Sequence, residues 1–160
     1  MFDRVLGIPA HPLYIHAAVV LVPLLVLVAV LYAIWPASRR HIRWPLVAFA
    51  LAAPGAVFFA KESGETFSGN RSFQSAELKA AIAQHEDYAN MLTLFVVVLA
   101  VVALVMAFML PVTAGARARI KAPAPAHWLL SVVAVVLAAL SAYYVYRTGD
   151  SGAHMVWSGF

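Results

Sequence analysis

The sequence has no cysteine. That absence excludes disulfides, thiolate catalysis, cysteine-held iron–sulfur clusters and cysteine zinc sites. Charge is scarce as well. Only 11% of the 160 residues are Asp, Glu, Lys or Arg, against about 25% in an ordinary soluble domain. With 64% hydrophobic residues beside it, so little charge excludes a water-soluble globule and indicates a membrane protein. Phosphate-binding glycine loops, a Ser-His-Asp order and an HExxH helix are also missing. The net charge of +4 is no nucleic-acid signal. Arg39, Arg40, Arg43, Arg117, Arg119 and Lys121 fall in two short connections between apolar runs, where membrane topology accounts for them.

What is present is four apolar runs, at about 13–35, 44–60, 88–111 and 127–146. Their lengths suit helices across a hydrocarbon core about 30 Å thick. Lipid offers the backbone no hydrogen-bond partner, so helices rather than strands are expected. Pro12 fits a first helical turn. Asp3 and Arg4 cancel before the first run, so that run reads as a retained span rather than a cleaved leader. The connection over 61–87 is expected to carry a short amphipathic helix at Ser75–Gln84, lying on the surface and leading into the third span through His85. A turn is expected at Ser68–Ser72. Small residues recur every four positions, at Ala48, Ala52, Ala56, Ala60 and Gly64 and again at Ala134, Ala138 and Ala142. Such stripes let helices pack closely, or leave room for a flat cofactor. Pro54-Gly55 is a place for a bend. No repeat of 20 to 50 residues is evident.

The expected fold is therefore all-α: a polytopic integral membrane protein, a four-transmembrane-helix bundle with both termini on the same face. The two short basic connections carry no acid, which predicts that they face the cytoplasm and that both termini are extracytoplasmic. An even number of crossings has a chemical consequence that holds for either orientation. His11, His16, Glu62, Glu65, His85, Asp150 and His154 all gather at one end of the bundle. Imidazole inside an apolar assembly needs a partner.

Two cofactor arrangements suit this set. In the first, haem b is held by histidines from different helices, His16 with His85 or His154 opposite, His11 nearby. Arg147 and the hydroxyls of Tyr144, Thr148 and Ser151 then meet the propionates. In the second, three histidines from among His11, His16, His85 and His154, with a carboxylate from Glu62 or Glu65, bind a single transition-metal ion of copper, zinc or iron. His11 and His16 point about 140° apart on a helix, so one ion cannot take both side by side. Each residue also has a plainer reading. Glu62 and Glu65 suit a solvated helix end, Glu86 and Asp87 a helix first turn, and His41 and His127 the opposite interface. A third expectation is a non-catalytic subunit or assembly factor, with a membrane-complex or redox partner or a second copy as companion.

The opening His11-Pro12-Leu13-Tyr14-Ile15-His16, then Lys61-Glu62-Ser63-Gly64-Glu65, then His85-Glu86, and the closing Thr148-Gly149-Asp150-Ser151-Gly152-Ala153 with Val156-Trp157 resemble a family of small four-span bacterial membrane proteins. It is the one catalogued as domain of unknown function 2231, and the likeness is to its actinobacterial members. The resemblance runs from about Gly7 to Trp157. It implies the bacterial cytoplasmic membrane and supports His11, His16, Glu62, Glu65 and His85 as site residues. Some members are fused to a Rieske domain, which implies electron transfer near the membrane surface. Two departures stand out: Ala17-Ala18 replaces the family's Phe-Pro, and Asp150 stands where the closing motif often has histidine.

Overall fold

The structure, a computed structural model, describes residues 4–5, 7–69, 75–112 and 124–157. The basic connection at 113–123, and residues 70–72 of the expected turn, lie outside them.

Two residue pairs, Arg4–Val5 (β1) and Ile8–Pro9 (β2), form a minimal antiparallel pairing, turned at Gly7 with φ +83°. Four long helices follow: α1 Ala10–Ile34, α2 Arg39–Gly69, α3 Ala76–Met109 and α4 Ala124–Trp157. All four are long and apolar enough to cross a membrane. The 34 residues of α3 and of α4 extend about 50 Å at 1.5 Å per residue. The hydrocarbon accounts for only about 30 Å of that. The charge-free stretches are the spans, and the rest of α2, α3 and α4 projects beyond them.

The helices alternate in direction. α1 packs on α2 and α4, and α3 packs on α2 and α4, so α1 and α3 stand on a diagonal. The core is layered along the bundle. Val22, Leu25 and Tyr32 of α1, Leu46 and Ala53 of α2, Val96, Leu99 and Met106 of α3, and Ala134 and Ala138 of α4 are fully buried. Outward, each helix presents apolar side chains. Leu27, Leu51, Val101 and Val136 are all more than half exposed, a surface suited to lipid contact. The expected all-α four-helix fold is the one observed.

At the end bearing Arg39, α1 must stop because Trp35 precedes Pro36, and a residue before proline is pushed out of the helical region. The last carbonyls of α1 are then satisfied by the buried Arg39. Its Nε donates to the Tyr32 carbonyl at 2.8 Å and its Nη2 to that of Ala33 at 3.2 Å.

Three details differ from the sequence reading. Residues 76–84 are not a separate surface helix but the start of α3, capped where Ser75 accepts from the Leu78 N–H at 3.0 Å. Nothing between Ala76 and Met109 is a glycine or a proline, so nothing stops the helix. α4 also runs unbroken through Gly149 and Gly152 to Trp157. The small-residue stripes leave the core along their length: Ala48, Ala52 and Ala142 are exposed, while Ala56, Ala134 and Ala138 are buried. A strict four-residue spacing rotates about 40° per step on a 3.6-residue helix, so such a stripe spirals off the packed face.

Candidate functional site

The polar end of the bundle is built twice. In the first hairpin, His11 at the start of α1 reaches across to α2. Its Nδ1 lies 3.0 Å from the Ala60 carbonyl and 3.2 Å from Ser63 Oγ. Ser63 is 1% exposed, and its hydroxyl donates to the same Ala60 carbonyl at 2.8 Å. In the second hairpin, His85 on α3 reaches across to α4. Its Nδ1 lies 2.9 Å from Ser151 Oγ, whose hydroxyl donates to the Thr148 carbonyl at 3.1 Å. Each serine gives its hydroxyl proton to a carbonyl and so accepts from the ring, which puts the ring proton on Nδ1 and the lone pair on Nε2.

Each imidazole sets its Cε1 edge against a glycine of its partner helix. A Cβ on Gly64 would stand 2.9 Å from His11 Cε1, and one on Gly152 would stand 3.2 Å from His85 Cε1. A side chain at Gly64 would force the His11 ring to shift, and one at Gly152 would make the His85 ring give by a few tenths of an ångström.

The correspondence extends further. Glu62-Ser63-Gly64 on α2 answers to Asp150-Ser151-Gly152 on α4. Three residues after each histidine comes a tyrosine, Tyr14 and Tyr88. Each tyrosine meets the residue four before the serine on the partner helix. Tyr14 stacks on Phe59 with ring centroids 5.7 Å apart. Tyr88 instead lies under the Arg147 guanidinium, 4.8 Å from its ring centroid, and its hydroxyl accepts from Arg147 Nη2.

The two histidines come from diagonal helices and face the bundle interior from opposite hairpins. They lie beyond the charge-free spans. Burial lowers the pKa of both below the ordinary imidazole value, and at His85 the proximity of His11 lowers it further. Both are neutral at pH 7.

The other expected site residues are placed elsewhere. His16 is a correction: it is exposed, and its Nδ1 donates to the Pro12 carbonyl of its own helix at 2.5 Å. With His11 turned inward, the 140° between them turns His16 out. His154 is exposed too. Its Nδ1 sits 2.9 Å from the Asp150 carbonyl and 3.5 Å from Asp150 Oδ1, one turn back on α4. Neither His16 nor His154 joins His85 in the interior. Glu65 is tied to Lys61 in an ion pair on the surface of α2. Among the described residues no three histidine, aspartate or glutamate side chains form a group that could hold a metal ion. Arg147 lines an open groove of about 320 Å³ between α3 and α4, with Gln84, Tyr88, Asp150, Ser151 and His154.

The sequence reading included Ser63, Gly64 and Gly152 in its motifs but gave them no part in the site. The signal for them was the Glu/Asp-Ser-Gly triplet occurring once in each half. Compared with protein-family models, curated proteins and solved structures, the chain matches none.

Proposed function

We propose that this protein is a membrane-embedded b-type haem protein of electron transfer, with His11 and His85 as the axial pair. The observation that supports it most is the matched fixing of two imidazoles from diagonal helices. Each ring is held on Nδ1 by a serine hydroxyl, and at His11 by the Ala60 carbonyl as well, which orients Nε2 as a ligand. The number of donors also favours haem. Porphyrin supplies four of the six iron ligands, so two imidazoles complete the set. A bare zinc or copper(II) ion needs three or four protein donors, and the described residues group no three together.

This reading replaces His16 with His11 and leaves Arg147 out of the ligand set. We place the paired-histidine end outside the cytoplasm of a bacterial membrane. The basis is the acid-free basic connections at the opposite end and the resemblance of the opening and closing motifs to the 2231 family. A redox partner would then dock at that end.

The test is the absorbance spectrum of protein purified in mild detergent from haem-supplemented cells, read beside elemental analysis. The expected result is a Soret band with about one iron per chain. Colourless protein with a stoichiometric metal would replace haem with a bare ion. Colourless, metal-free protein that co-purifies with other membrane proteins would make the bundle an accessory subunit.

A further inference from the structure

We infer that the groove between α3 and α4 is a binding site for the zwitterionic headgroup of an ethanolamine phospholipid. The groove has one fixed cation and one fixed anion, three residues apart on α4. Arg147 follows directly on the charge-free run that ends at Tyr146, which puts it at the level where hydrocarbon gives way to headgroups. Its guanidinium is spread over Tyr88 and bonded to the Tyr88 hydroxyl, and its Nε is buried without a hydrogen-bond partner among the described residues. Tyr88 thus fixes the guanidinium at the wall of the groove. Arginine is the side chain best shaped for phosphate oxygens.

Asp150 lies on the same side of α4, about 4.5 Å farther from the membrane centre at 1.5 Å per residue. Its carboxylate is close enough to act on the Arg147 charge, no ion pair joins the two among the described residues, and its Oδ1 lies 3.5 Å from Nδ1 of the exposed His154 at the groove's outer edge. The order of the two charges matches the order in the headgroup. In a phospholipid the phosphate sits at the hydrocarbon boundary and the ammonium lies two carbons farther out. Phosphate therefore meets Arg147, and ammonium meets Asp150. The carboxylate disfavours a purely anionic headgroup such as phosphatidylglycerol. A choline headgroup has no N–H to give it. At about 320 Å³ the groove is at the small end of ligand sites, large enough for a headgroup and not for a whole lipid. In the first hairpin Phe59 occupies the position of Arg147, so the cation has no equivalent there.

The test is native mass spectrometry of the whole chain released from detergent. Phosphatidylethanolamine, phosphatidylcholine, phosphatidylglycerol or soluble phosphorylethanolamine is added in turn. The expected result is an ethanolamine-lipid adduct about tenfold more abundant than the choline or glycerol adduct, the scale of one charge-assisted hydrogen bond. Asp150→Asn is expected to remove the preference for ethanolamine over choline. Arg147→Gln is expected to lower adducts of every phospholipid. Both variants keep their helical circular dichroism, and His11→Ala, which abolishes the proposed haem site, leaves the preference unchanged. Equal adducts across headgroups would overturn the inference. So would a preference that survives both groove variants in folded protein. Soluble phosphorylethanolamine binding as well as the lipid would overturn the assignment to lipid.

Discussion

The two hairpins use the same parts to different ends, and the difference separates what is shared from what is local. Histidine, tyrosine, acid, serine and glycine recur at matching places in α1–α2 and in α3–α4. Both histidines are consequently turned inward, with the same tautomer and the same backing. Where the hairpins diverge, at Phe59 against Arg147, the first makes an aromatic stack and the second a charged groove. Shared residues thus build the paired interior site. The divergent one builds a surface feature that only half of the molecule has.

If the hairpins are equivalent at the histidines, replacing either should cost about the same. His11→Ala and His85→Ala each remove a half-buried ring and its bond to a serine that keeps its own bond to a helix carbonyl. A loss of about 1–2 kcal/mol is expected for each by thermal melting in detergent. A large gap between the two would break the equivalence. The glycines sharpen it. Gly64→Ala meets the ring at 2.9 Å and Gly152→Ala at 3.2 Å. The tighter contact is therefore expected to give a net cost of about 1 kcal/mol at Gly64, while at Gly152 the helix preference of Ala over Gly offsets the contact. The reverse order would mean that the first ring yields more easily than the second.

A smaller effect is expected from pH. Burial lowers the pKa of both rings, so around and below the ordinary value of 6.5 the unfolded chain binds protons that the folded one does not. Stability is present in full above that value and falls as the solution is acidified through it. The melting temperature of the parent should drop between pH 7 and pH 5, and the double variant His11→Ala with His85→Ala should show a flatter profile. An unchanged slope would mean that the acid sensitivity lies elsewhere. The smallest effect is expected at His16, where the exposed ring and its bond to its own helix make His16→Ala worth less than about 0.5 kcal/mol in the same melts.

The four spans were legible because charge stops where lipid begins, and their even number gathers the polar residues at one end whichever way the chain is oriented. The choice between His11 and His16 was not legible. Their angular separation says that only one can face inward, and it is Ser63 on another helix that decides which. The run of α3 through 76–84 could have been read from its lack of breakers. The helicity of 149–152 could not, since two glycines argue against helix in isolation, and the packing of His85 on Gly152 is a tertiary fact. The internal correspondence was hidden by distance. Matching histidines stand farther apart than the repeat lengths usually searched, and the apolar spans between them carry no pattern of their own.

The most direct test of the paired site is a reduced-minus-oxidised absorbance spectrum taken on the parent and on His11→Ala, His85→Ala and His16→Ala, each loaded with haem in the same way. The first two variants are expected to lose the bis-histidine signal, and His16→Ala to keep the parent's spectrum. A signal that disappears with His16, or one that survives the loss of both His11 and His85, would show that His11 and His85 are not the axial pair.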